Sequence, residues 1–251
     1  MKYVFGNWKM YLNYEESVNL AAALAKEIKK ITGLEMAVFP TALAMVAVKN
    51  KLSKAAEIGA QNCAWTPKGA YTGAISAQIY KAAGCRYVLV GHSERRHIFG
   101  ESHDATRKKL AAALEAGLIP VLCVGETKED RTENKVQYRL KKQLATALSG
   151  LNLKGEDIII AYEPVWAIGT GNPCQPADAT DIHGWIKTEV KQYISGETRV
   201  LYGGSVNAEN VVSYVSLDTV DGVLVGAASS KADSFISLIN AVAPPSKKLR
   251  S

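Results

Sequence analysis

Cysteine is scarce and shows no pairing pattern: Cys63, Cys85, Cys123 and Cys174 form no Cys-x-x-Cys pair and have no histidine at ligand spacing. Neither a zinc site nor a disulfide framework is therefore indicated, and free thiols of a reducing compartment are expected. No apolar run approaches the roughly 18 residues a membrane span needs. The start, Met1-Lys2-Tyr3-Val4-Phe5-Gly6-Asn7, turns polar too early for a secretory leader. A soluble, cytoplasmic protein without membrane association is expected. Proline is sparse, eight residues against twenty glycines, which suits many tight loops and excludes a low-complexity chain. Charge of one sign does not dominate: 30 Lys and Arg against 24 Asp and Glu leave a net +6. The basic clusters Lys29-Lys30, Arg107-Lys108-Lys109 and Lys141-Lys142 lie in helical patterns without interleaved aromatics, so they read as solvated helix faces and no nucleic-acid partner is expected.

What is present is a 251-residue chain, 47% hydrophobic, long enough to bury a core unaided. Short apolar runs alternate with amphipathic stretches about every 30 residues, the pattern of repeated βα units. Residues 2–7 read as a strand, followed by Asn13-x-x-Glu16, a capping-box start, and a helical stripe of Val18, Ala21, Leu24, Ala25, Ile28 and Ile31. Further strands are expected at 35–40, 57–61, 87–91, 119–124, 158–162, 200–203 and 222–225, each followed by a helical pattern. Runs such as Tyr87-Val88-Leu89-Val90 are apolar at successive positions, as in parallel sheets covered on both faces. Eight such units and no linker predict an α/β fold: a single (β/α)₈ barrel spanning residues 1–251, with 243–251 a frayed tail.

Active sites of such barrels lie at the C-terminal ends of the strands. The polar residues there are Asn7 and Lys9, Gln61-Asn62, His92, Glu126, Glu163, Gly204-Ser205 and Gly226-Ala227. A loop lysine is ordinarily a solvated charge, but Lys9 stands at the barrel mouth. His92 fits a core histidine as well as a catalytic one. Glu163 closes an apolar run, where a carboxylate is costly unless paired or used. The glycine turns after the seventh and eighth strands are either tight turns or phosphate cradles of backbone N–H groups. The stretch 164–174, apolar in its middle and glycine-rich at its end, has the composition of a lid, with Trp166 and Ile168 packing down on closure.

Taken together, Gly6-Asn7-Trp8-Lys9-Met10, Gly91-His92-Ser93-Glu94-Arg95-Arg96, 161–171, Tyr202-Gly203-Gly204-Ser205-Val206 and Leu224-Val225-Gly226 resemble, in order and over nearly the whole chain, the triose-phosphate isomerase family. The resemblance implies interconversion of dihydroxyacetone phosphate and D-glyceraldehyde 3-phosphate through an enediolate, in glycolysis and gluconeogenesis, with no cofactor and no metal. By resemblance Glu163 is the base, clamped by Ile168 and Leu224. His92 polarises the carbonyl as neutral imidazole at the start of a short helix, as is established for the family. Lys9 and Asn7 stabilise the enediolate, Glu94 orients Lys9, and Ser93 holds Glu163 in the open state. Gly169, Ser205, Gly226 and Ala227 would bind the phosphate through backbone N–H groups. The lid comprises Pro164, Trp166, Ile168, Gly169, Gly171, Pro173 and Cys174, with Glu126 partnering Trp166 in the open form and Tyr202 serving the closed form. The loop 65–76, including Thr72, resembles the arm that enters the partner of a homodimer, near Arg95.

Three positions depart from the family pattern. Ala227 replaces a glycine, so its methyl is expected to crowd the phosphate or resist a positive φ. Asn172-Pro173-Cys174 replaces the usual hinge, and Pro173 is expected to alter lid kinetics. Ala74 replaces a glutamate that pairs with the Arg95 counterpart across the dimer, so a weaker dimer is expected. A Schiff-base aldolase is disfavoured because the sixth strand ends in Glu163 rather than a lysine. A metal-dependent hydrolase is disfavoured because no His-x-His closes the first strand. The remaining alternative is a degenerate barrel that binds phosphorylated ligands or a protein partner without turnover. The joint presence of Asn7, Lys9, His92 and Glu163 argues against it.

Overall fold

The computed structural model describes residues 1–28, 31–169 and 173–243. Ten strands appear among them: β1 Lys2–Asn7, β2 Leu34–Phe39, β3 Glu57–Ala60, β4 Tyr87–Val90, β5 Ile119–Val124, β6 Leu153–Lys154, β7 Ile159–Tyr162, β8 Ile194–Ser195, β9 Arg199–Tyr202 and β10 Gly222–Val225. Eight of them close a parallel barrel in the order β1-β10-β9-β7-β5-β4-β3-β2, with β1 joining the two ends of the chain through Tyr3↔Gly222 and Lys2↔Leu34. The eight expected strands are thus β1–β5, β7, β9 and β10. The pair β6-β8 forms a separate two-stranded sheet that periodicity could not reveal, since two residues carry no period.

The strands are apolar on both faces because each face meets its own core. Tyr3, Phe5, Phe39, Tyr87, Leu89 and Leu201 fill the barrel interior, where Phe5 packs at 4.7 Å from Tyr87. The opposite faces of the strands meet the helices across a larger apolar layer.

The helices are α1 Tyr14–Glu27, α2 Met45–Leu52, α3 Ala77–Ala82, α4 Ser93–His97, α5 His103–Glu115, α6 Lys128–Thr132, α7 Val136–Leu148, α8 Pro176–Glu189, α9 Val211–Val215 and α10 Ala232–Val242. The Asn13–Glu16 capping box starts α1 as expected. Eight helical patterns expand to ten helices among the described residues, because two short ones stand in βα loops. Of these, α4 is the short helix the resemblance implies after His92. The other, α6, is too short to show a periodic stripe, although its own capping box, Thr127 with Asp130, is legible in the sequence. Among the described residues no helix is long and apolar enough to cross a membrane. Lys29, Lys30 and all of the expected tail except Ala243 lie outside the described residues.

Candidate active site

Each strand hands one piece to the same mouth. Asn7 ends β1, and its carboxamide oxygen accepts the Lys9 main-chain N–H at 3.0 Å. This turn holds Lys9 at φ 48°, a left-handed conformation that costs a non-glycine residue energy. Gln61, just beyond β3, donates to the Lys9 carbonyl at 2.7 Å and to Phe39 at 2.9 Å, pinning the strained residue from its other side. The Lys9 ammonium reaches Glu94 Oε1 at 2.7 Å. Gln61 was visible as a strand-end polar residue, but its task was not.

His92 follows β4 and caps α4. The Glu94 N–H donates to its Nδ1 at 3.3 Å. A main-chain N–H can only donate, so Nδ1 carries the lone pair and the ring is neutral with its proton on Nε2. That Nε2 lies 3.0 Å from Glu163 Oε1 and 3.3 Å from Asn7 Nδ2. Glu163 is 2% exposed, and its second oxygen accepts the Ser93 N–H at 2.8 Å. Ser93 therefore holds the carboxylate through its backbone rather than its hydroxyl. Gly203 leaves the space this requires: a Cβ there would press within 3.0 Å of Glu163 Cγ.

A cavity of about 190 Å³ opens beside this cluster. It is lined by Asn7, Lys9, His92, Ile168, Gly169, Ser205, Leu224, Gly226 and Ala227, and Gly226 lies directly against the Lys9 side chain. Glu163 does not line it; its carboxylate points sideways to Ser93 and must rotate to face the cavity. The expected backbone penalty at Ala227 is absent. Among the described residues, positive φ outside glycine is confined to Lys9, Ser53 and Asn134, and Ala227 begins a 3₁₀ turn, Ala227–Ser230.

The loop after β7 starts at Pro164 and turns through Val165–Ala167. Trp166 Nε1 donates to Glu126 Oε1 at 2.7 Å, Tyr162 donates to the same oxygen at 3.0 Å, and Arg131 of α6 stacks 4.6 Å from the Trp166 ring. Burial pushes the Glu126 carboxyl up, and these hydrogen bonds partly offset it. Ser205 Oγ donates to Ala167 at 2.6 Å, and the Cys174 N–H donates to the Tyr202 hydroxyl at 3.0 Å. Trp166 thus rests on Glu126 while Cys174 is held by Tyr202 in the same structure. Gly171, with Thr170 and Asn172, lies outside the described residues.

At the side of the mouth the loop 65–76 projects, closed at its base by Ala64 N–H donating to Ile75 at 2.8 Å. Gly73, at φ 84°, turns its tip, where Thr72 and Ala74 are exposed. Arg95 lies 4.4 Å over the Phe99 ring and 3.4 Å from Glu101, so it has a carboxylate partner within its own chain.

The triosephosphate isomerase family model matches residues 2–242. The chain belongs to the triosephosphate isomerase family. It is 40% identical to the triosephosphate isomerase of Aquifex aeolicus over 94% of this chain and 97% of that protein. To the triosephosphate isomerase of Geotalea uraniireducens it is 42% identical over 94% of this chain and 96% of that protein. Family membership extends over the barrel and both sides of its mouth.

Proposed function

We propose that the chain interconverts dihydroxyacetone phosphate and D-glyceraldehyde 3-phosphate by proton transfer through an enediolate. One observation carries this reading: a neutral imidazole whose Nε2–H faces a buried carboxylate 3.0 Å away at the cavity's edge. Isomerisation needs a base and an electrophile side by side, and a buried carboxylate is costly without such a use. On substrate binding Glu163 turns from Ser93 and takes a proton from C1 of the ketose. The His92 Nε2–H, released from Glu163, donates to the C2 oxygen as charge develops on it. The Lys9 ammonium and the Asn7 amide stabilise the enediolate, and Glu94 fixes Lys9. Glu163 returns the proton to C2 while the hydroxyl proton passes between the two oxygens, so atoms and electrons balance within one molecule.

The phosphate is held by main-chain N–H groups of Gly169, Ser205, Gly226 and Ala227. Ile168 and Leu224 press on the base from either side and keep water from it. The loop 164–174 covers the phosphate and so hinders its elimination from the enediolate. A coupled isomerase assay on wild type and Glu163→Gln tests the reading. The variant is expected to lose about 10²–10⁴-fold in kcat while still binding inorganic phosphate. Near-wild-type turnover in a contamination-controlled sample would refute Glu163 as base.

The enzyme works as a cytoplasmic homodimer of one-domain chains. Four buried, unpaired cysteines suit a reducing compartment. Beside Lys9 a hollow of about 350 Å³ is lined by Met10, Glu94, Arg95 and Phe99, with Met10 91% and Phe99 64% exposed. The loop 65–76 of a second copy docks there and covers these exposed apolar side chains. Ala74 brings no carboxylate to Arg95, which weakens the pairing. Sedimentation of Ala74→Glu is expected to show a lower dimer dissociation constant than wild type; an equal or higher one refutes the role of residue 74.

A further inference from the structure

Cys174 is fully buried where the loop after β7 meets α8, and tyrosines hold both of its peptide groups. Its N–H donates to the Tyr202 hydroxyl at 3.0 Å, and its carbonyl accepts the Tyr214 hydroxyl. The two phenol rings stack with centroids 4.2 Å apart and planes 12° apart. Tyr202 ends β9 and Tyr214 lies on the buried side of α9, so two barrel elements converge on one residue. Bonds on either side of its Cα fix both φ and ψ of Cys174. Pro173, immediately before it, has a locked φ and no N–H, so this segment has one donor fewer with which to anchor itself. A buried phenol needs a partner, and Tyr214 has taken the one carbonyl that completes the grip. The grip is in place while Trp166 still rests on Glu126.

We propose that Tyr214 is a positioning residue for the isomerisation: acting through Cys174, it sets the loop's C-terminal anchor before substrate arrives. The inference rests on the function proposed above. With the anchor slack, the phosphate is covered less well. The enediolate electron pair then more often breaks the C–O bond to phosphate, releasing inorganic phosphate and a three-carbon dicarbonyl product.

Tyr214→Phe keeps the ring stack and removes only the hydroxyl. It is expected to lower kcat/KM by about three- to tenfold, the size of one lost hydrogen bond, and to raise inorganic phosphate released per isomerisation. That ratio is counted per turnover, so a loss of folded protein does not move it. Tyr214→Leu, lacking ring and hydroxyl, is expected to raise the ratio at least as far. An unchanged ratio and kcat/KM in Tyr214→Phe overturns the inference, and an effect confined to Tyr214→Leu reduces the residue to packing. An inactive wild type overturns the functional reading with it, whereas an active wild type beside an indifferent Phe variant overturns the inference alone.

Discussion

Two histidines lie buried, one at the barrel mouth and one between a helix and the barrel strands, and have opposite surroundings. His92, at the mouth, is 6% exposed, and both ring nitrogens face polar groups: Nδ1 the Glu94 N–H, and Nε2 the Glu163 carboxylate and the Asn7 amide. His183, on α8, has no exposure and packs edge-on against Tyr162 at 5.7 Å. Neither of its nitrogens makes a well-formed hydrogen bond, although the main chain of Thr219 and Val200 lies close enough to offset burial weakly. Burial, followed by the nearby Lys187 charge, pushes His183 down to about 3. Burial alone therefore does not separate the two histidines; the wiring of their ring nitrogens does.

The contrast can be broken by exchange. His92→Gln is expected to lower kcat by about 10²–10⁴-fold with the melting temperature nearly unchanged, because a glutamine amide is a poorer and less firmly held donor to the C2 oxygen than the His92 Nε2–H. A variant that retains wild-type turnover would put the two histidines on the same footing. His183→Phe is expected to leave kcat at neutral pH unchanged and to alter acid stability instead. Because the folded state lowers its pKa from 6.5 to about 3, His183 stays neutral in the fold and takes up a proton on unfolding. Wild-type stability is complete above pH 6.5 and falls with pH below it, by up to about 1.4 kcal/mol per pH unit from this group. Denaturant titrations between pH 7 and 4 should show a shallower decline in the Phe variant; parallel declines would show that His183 does not titrate this way. The smallest effect is expected beside it. The Thr219 hydroxyl is buried without a partner, so Thr219→Val should stabilise the fold by about 1 kcal/mol at unchanged kcat, as read by urea unfolding. A destabilised variant would mean that the hydroxyl has a partner after all.

The difference between the histidines also marks what could be read in advance. His92 stands at the end of an apolar run, and strand-end position is visible in a sequence; the same rule found Asn7, Lys9 and Glu163. His183 sits among Ile182, Gly184, Trp185 and Ile186 in an ordinary helical stripe, where nothing announces complete burial. The eight barrel strands were legible because both faces of each are apolar. The helix α6 escapes periodicity because five residues make no stripe, although Thr127 and Asp130 offer a cap. Side-chain directions were beyond reach: that Glu163 leans to the Ser93 amide, that Ala227 avoids positive φ, and that Tyr214 finds the Cys174 carbonyl all depend on contacts between distant segments.

The pairing of β1 with β10 has a consequence for how the chain reaches its fold. These strands come from opposite ends of the sequence, and Lys2 Nζ donating to the Val220 carbonyl at 2.6 Å fastens the same seam. A nascent chain can build β1 to β9 and still present two open edges, one on β1 and one on β9, each with unpaired backbone groups able to recruit another strand. Those edges close only when Gly222–Val225 is free of the ribosome. The last strand of the barrel to be synthesised is therefore the one that makes the first strand safe, and the barrel depends through most of its synthesis on a segment not yet made.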